Sequence, residues 1–241
     1  MIIHRPAQER GRTQLDWLDS RHSFAFGSYH DPEWMGFGPL RVINDDHIKP
    51  GAGFGMHRHR DMEIISWVLQ GRLAHRDSLD NHGIIEPGMA QVMTARRGIK
   101  HSEFNPSTDQ PVHLLQIWIQ PRQSDLEATY ADRRFEPSTW RDRLGVIASP
   151  DGREDSLRIE QDAYVYVAEL LAGQSVEHAF AAGRLGWVQV ARGEVALNDT
   201  QTLAEGDGAG LRDEAKVQLR NTGSGAAEIV LFDLPPDDRH N

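Results

Sequence analysis

Cysteine is absent from this chain of 241 residues. Its absence excludes disulfides and thiolate metal ligands and suits a reducing compartment. Basic charge is in deficit, with Lys plus Arg at 26 against Asp plus Glu at 36 and a formal net charge of -10. Direct nucleic-acid binding, which needs basic surface to displace counterions, is disfavoured on that ground. No apolar run approaches membrane-spanning length. The opening Met1-Ile2-Ile3-His4-Arg5 carries charge too early for the apolar core of a signal peptide. These deficits predict a soluble, cytoplasmic protein with neither a nucleic-acid nor a membrane partner. Helical periodicity is scarce too: the best candidate, Asp125-Leu126-Glu127-Ala128-Thr129-Tyr130, is short. What remains is enough chain for one large all-β domain or two smaller ones.

The stretch from Gly51 to Gly71 organises the rest. It holds His57 and His59 at alternate positions, then Glu63, then the apolar run Ile64, Ile65, Trp67, Val68 and Leu69. Alternate side chains of a strand share a face. One unbroken strand would therefore align His57, His59, Asp61, Glu63, Ile65, Trp67 and Leu69. Neighbouring imidazoles at the mouth of an apolar strand are neutral, rigid nitrogen donors, as a metal site requires. A second stretch answers it, with His101 and Glu103 again at alternate positions just after Gly98. One short histidine pair arises by chance on surfaces. Two in-phase pairs, each bounded by glycine turns, point to a metal centre built from His57, His59, His101 and one or both of Glu63 and Glu103.

Along the chain, Leu15, Trp17 and Leu18 suggest one helical turn ending near Ser20. Residues 23–29 alternate in aromatic fashion as a strand would. Leu40 to Asn44 reads as a strand closed by Asp45-Asp46. From Phe54 to Gln120, short strands alternate with turns at close spacing, the pattern of an all-β barrel or sandwich. Single histidines are assigned no ligand role: His22, His30 and His47 as surface or hydrogen-bonding groups, His75 and His82 as exposed, His113 as packed and hydrogen-bonded. Residues 121–160 read as a connection, after which strands resume, and the tail from Pro235 reads as frayed. The two halves also echo each other. Trp67-Val68 matches Trp187-Val188, and Glu86-Pro87-Gly88-Met89-Ala90 matches Glu205-Gly206-Asp207-Gly208-Ala209. In that alignment the four metal positions of the second half hold Glu177, Ala179, Leu219 and Asn221, so one metal ion is expected, in the first half only.

These stretches resemble the paired motifs of the cupin superfamily, and more narrowly the pirin family. The matching residues are Leu18 to Phe24, Gly55 to His59 with Glu63, Pro87-Gly88, and Met93 to Glu103. The resemblance implies an all-β bicupin of two tandem jelly-roll barrels: residues 1–135 holding the metal, residues 136–241 metal-free. The family's ligand set, carried over, is His57, His59, His101 and Glu103. The wider cupin pattern would use Glu63, which the pirin-like context leaves as a neighbouring acid. The proline expected before Gly98 is replaced by Arg96, a departure that favours pirin over other cupins.

The resemblance further implies a quercetin 2,3-dioxygenase, which opens the central ring of a flavonol with dioxygen. Its cofactor would be one divalent transition metal ion, iron first, with Mn, Co, Ni, Cu or Zn also suited to these donors. Glu103, or Glu63 beside it, would take the substrate's proton. Phe54, Trp67 and Phe104 are candidates to pack on a flat ring. The oligomeric state is left open, a monomer being admissible. Two other classes remain: a non-redox cupin enzyme such as a sugar isomerase, and a metal-dependent regulatory protein of the pirin type.

Overall fold

Short strands with one apolar face must pair and then close face to face to leave water. The structure, a computed structural model, describes residues 1–95, 97–124 and 127–236. Arg96, the residues Asp125 and Leu126 of the expected helix, and the tail beyond Pro236 lie outside the described residues. The rest of that expected helix is not helical: Thr129 and Tyr130 open the strand Thr129–Arg134.

The chain forms two compact units. The first barrel is Gly11–Phe135 with Leu157–Gln161; the second is Met1–Arg10, Glu136–Ser156 and Asp162–Asn241. A cut at residue 135 therefore misplaces two segments. Ile2–Arg5 belongs to the second barrel because it pairs antiparallel with Gly208–Leu211. Residues 157–161 belong to the first because the backbone N–H groups of Glu160 and Gln161 donate to Glu63 at 2.6 and 2.9 Å.

In the first barrel a seven-stranded sheet runs Thr129–Arg134, Met89–Thr94, Glu63–Gln70, Val112–Ile119, Leu40–Ile48, Leu18–His22, Gly11–Gln14. A four-stranded sheet runs Gly53–His59, Ile99–Phe104, Leu73–Asp77, His82–Ile85. Leu18, Ile48, Val68, Leu73, Ile85, Val112 and Leu114 make one buried cluster of its interior. This is the jelly-roll plan the pairing of short antiparallel strands predicts. Several local readings change. Leu18–His22 is a strand, not the end of a helical turn. Residues 23–29 make a turn with a lone bridge between Phe26 and Tyr29. The strand from Leu40 does not stop at Asp45-Asp46 but runs on to Ile48, both aspartates being buried within it.

The stretch from Gly51 to Gly71 is two strands in different sheets. Asp61 turns with φ +50 between Gly53–His59 and Glu63–Gln70, so side-chain parity is not carried across it. The second of these strands is buried on both faces from Glu63 to Leu69, which alternation alone could not reveal.

The second barrel repeats the plan. Its larger sheet runs, within this unit, Ile2–Arg5, Gly208–Leu211, Leu185–Arg192, Ala227–Leu234, Tyr164–Leu170, Gly145–Ser149. The smaller runs Ser175–Ala179, Lys216–Asn221, Glu194–Leu197, Gln201–Ala204. Two asparagines fix the register of the repeat. Asn105 donates to the carbonyls of Ile48 and Gln110 and accepts from the N–H of Ser107. Asn221 donates to the carbonyls of Leu170 and Gly225 and accepts from the N–H of Gly223. Asn221 thus corresponds to Asn105, not to Glu103. Counting back, Leu219 stands for Glu103 and Val217 for His101. His178 pairs with Val217 as His57 pairs with His101, which places Phe180 where the first barrel has His59. The expected positions Glu177, Ala179 and Asn221 are corrected accordingly, and Leu219 moves from the His101 position to that of Glu103. The two positions after Gly208–Leu211 shift by two because that strand, at 4 residues, is shorter than its counterpart Met89–Thr94, at 6. Among the described residues of either barrel, no helix is long and apolar enough to cross a membrane.

Candidate metal centre

Cross-strand register brings the histidines together. In the small sheet His101 faces His57 and Ile99 faces His59, after which a bulge between His101 and Glu103 sets Glu103 opposite Phe54. Such a bulge re-aims a side chain without ending the pairing. One donor nitrogen from each of His57, His59 and His101 lies within 4.8 Å of the others. The Nε2 atoms of His57 and His101 are 3.1 Å apart. His57 Nδ1 lies 2.8 Å from the carbonyl of Gly55, so it donates there and its Nε2 carries the lone pair. Burial, and then the neighbouring histidines, push His59 and His101 down to about 3, which keeps both imidazoles neutral and able to donate.

These residues fit a divalent ion. Two metal–nitrogen bonds of about 2.1 Å at a right angle separate their nitrogens by about 3 Å, which is the spacing of His57 and His101.

Glu103 shares the site but is already engaged. Its Oε1 accepts from Ser66 Oγ and Gln91 Nε2, both at 3.2 Å, and its Oε2 from Gln116 Nε2 at 2.6 Å. His75, expected to be exposed, is buried instead. It stands opposite Glu103 on the neighbouring strand and stacks on Tyr130 with centroids 4.6 Å apart. Its Nδ1 lies 3.5 Å from His101 Nδ1, behind the ring that faces His57. Within its strand His75 is in phase with Leu73 and Asp77, which are also buried.

Glu63 is not beside the histidines. It opens the next strand, and its carboxylate accepts from Glu160, Gln161 and Thr94. Burial raises its pKa, and those hydrogen bonds oppose the rise. Glu63→Gln should therefore lower the urea midpoint by the equivalent of about 1–3 kcal/mol, since an amide nitrogen would face a backbone donor. Its metal content, read by elemental analysis, should match the wild type.

A cavity of about 430 Å³ opens on the centre, walled by Trp17, Phe26, Phe54 and Trp118 and reached by His57, His59 and Glu103. Of the aromatics proposed to pack on a ring, Phe54 takes this place. Trp67 is fully buried in the core, and Phe104 is exposed. His22 is buried and held by Thr13 Oγ1 at 2.8 Å and Asn44 Oδ1 at 2.7 Å. Asp45, His47 and His113 also gather potential ligands. There His113 Nε2 is bonded to Asp45 at 2.7 Å, while the two rings stack at 3.9 Å and 19°. Stacked rings aim their in-plane lone pairs in parallel, so this group is a hydrogen-bonded one.

Among the described residues of the second barrel no comparable cluster forms. Val217, Leu219 and Phe180 belong to its apolar core, and His178 is bonded to Asp233 at 2.8 Å.

Fold and site together define a class: a bicupin with one histidine-lined centre in its first barrel. Residues 4–119 match the family model described as Pirin, and residues 146–234 that of the quercetinase C-terminal cupin domain. The chain belongs to the pirin family. It is 42% identical over 236 residues to quercetin 2,3-dioxygenase of Escherichia coli strain K12, covering 98% of this chain and 100% of that protein. It is 41% identical to a putative quercetin 2,3-dioxygenase of Zymomonas mobilis, over 91% of this chain and 93% of that one. The crystal structure of YhhW from Escherichia coli superposes with a TM-score of 0.93 at 42% identity, each chain fully covered. A second structure, bacterial pirin YhhW in complex with nickel(II), gives a TM-score of 0.91 over 98% of this chain and 100% of that one.

Proposed function

We propose that this chain is a metal-dependent dioxygenase that opens the central ring of a flavonol with dioxygen, as quercetin 2,3-dioxygenases are named for doing. The observation that carries the reading is the cluster of His57, His59 and His101, with His57, His59 and Glu103 lining an aromatic-walled cavity. His57, His59, His101 and Glu103 hold the ion in this reading. Their nitrogen and oxygen donors suit iron, nickel and their neighbours in the first transition row. A divalent ion, when bound, supplies a Lewis acid that favours the deprotonated flavonol hydroxyl. Phe54, Trp17 and Trp118 pack on the flat ring system and keep water from it. Gln91, Ser66 and Gln116 hold the Glu103 carboxylate in place.

The test is oxygen uptake by protein loaded with iron, nickel, cobalt, manganese or copper, with quercetin as substrate and metal-free protein as control. Uptake that scales with bound metal is the expected result. No uptake with any of these metals would sink the dioxygenase reading and favour the regulatory one.

A further inference from the structure

Glu103 is already engaged by the protein. A carboxylate oxygen offers about two lone-pair positions. Gln91 holds one at Oε1 and Gln116 one at Oε2, and the single Ser66 proton lies between Oε1 at 3.2 Å and Gln116 Oε1 at 2.9 Å. An ion held by this carboxylate would lower its basicity, which disfavours Glu103 as the acceptor of a substrate proton. Glu63, the other acid the sequence offered, is engaged by Thr94 and the amides of residues 160 and 161. Among the described residues lining the cavity, the carboxyl groups are Glu103 and Asp46.

Asp46 is 2% exposed, and its Oδ1 is buried without a hydrogen-bond partner. A buried carboxylate oxygen left unpaired is costly unless a ligand completes it. The geometry points to Asp46 Oδ1 as the acceptor of the bound hydroxyl's proton, an inference that rests on the dioxygenase reading above. In that step the hydroxyl O–H bond breaks and its electron pair stays on the substrate oxygen. The proton forms an O–H bond on Asp46, the carboxyl becomes neutral, and no oxidant or reductant takes part.

The surroundings suit the task. Burial raises Asp46 to about 7, the Ser20 hydroxyl bonded to it opposes the rise, and the like charges of Asp45 and Glu103 add to it. His22, His57 and His59 line the same cavity. A base whose pKa lies near the working pH is both available and strong enough to act.

The test uses the full chain loaded with nickel, quercetin as probe, and nitrogen to prevent turnover. Visible absorbance separates neutral from anionic flavonol, so the pH midpoint of its ionisation can be read while bound. Asp46→Asn keeps the shape and loses the basicity. It should move that midpoint up by about one unit or more, equivalent to roughly 1.4 kcal/mol, with metal content unchanged. Under oxygen its turnover per bound metal should fall ~10²-fold with KM little altered. Asp46→Glu, which restores a carboxylate, should recover part of the shift; Asp46→Ser replaces Asp46→Asn if that variant fails to fold. Equal midpoints in wild type and variant overturn the assignment. Bound flavonol with a shifted midpoint but no oxygen uptake by the wild type leaves Asp46 standing and overturns the dioxygenase reading instead.

Discussion

His101→Ala should lower the metal content from near one ion per chain to near zero. His101 is the fully buried member of the three, with its ring 4.5 and 4.7 Å from those of His57 and His59. Its loss leaves two imidazoles on one exposed-edge strand and a carboxylate beyond a bulge. Changes to residues that merely orient a metal ligand cost ~10–100-fold in affinity, and removing the ligand itself should cost more. Elemental analysis after desalting gives the ratio. A thermal melt gives an independent reading, because an ion at 100 times its Kd stabilises the folded state by about 2.7 kcal/mol. The wild type should show that gain on loading, and the variant should not. A ratio near two in the wild type, or metal retained when His57→Ala is added to His101→Ala, would remove the centre from these residues.

Glu103→Leu should be the most destabilising change at the site even in metal-free protein. It installs the residue found at the corresponding position of the second barrel, Leu219, which is buried in an apolar core. In the first barrel the same side chain would face Ser66, Gln91 and Gln116, three donors that now point at the carboxylate. Each buried donor left without an acceptor costs about 1–3 kcal/mol. The bond from Ser66 to Gln116 Oε1 at 2.9 Å survives. A net loss of about 2–4 kcal/mol is expected, read as a fall in the urea midpoint of metal-free protein. Glu103→Gln keeps one carbonyl oxygen and should lose less than half as much. If the two variants unfold together with the wild type, the carboxylate network contributes nothing to the fold.

The two barrels show why one pattern of residues makes a centre and its echo does not. Metal donors must be neutral and convergent, and must leave an ion reachable. The first barrel gathers His57, His59 and His101 from two paired strands. The second fills those places with an apolar cluster around Phe180, Val217 and Leu219, and ties His178, which stands where the first has His57, to Asp233. The same closed sheets thus carry a histidine cluster in one case and a packed interior in the other.

The sequence by itself determined the strand-and-turn plan, the presence of two similar halves, and the three histidines. Those follow from local signals: alternation, glycine turns, and ligands two residues apart on one strand. Tertiary structure decided the rest. Asp61 at positive φ separates His59 from Glu63, and a bulge places Glu103, both beyond the reach of parity counting. Asp46 looked like the end of a strand because two adjacent aspartates are rarely buried in one. Only the closure of Leu40–Ile48 against Leu18–His22 brings Ser20 opposite it and turns it toward the cavity. His75 lies among polar turn residues and so reads as exposed; its burial comes from the neighbouring ligand strand and from Tyr130. Spacing along a chain fixes which side chains share a face. Which of them share a cavity depends on how the sheets close, and residues far apart in sequence make that choice.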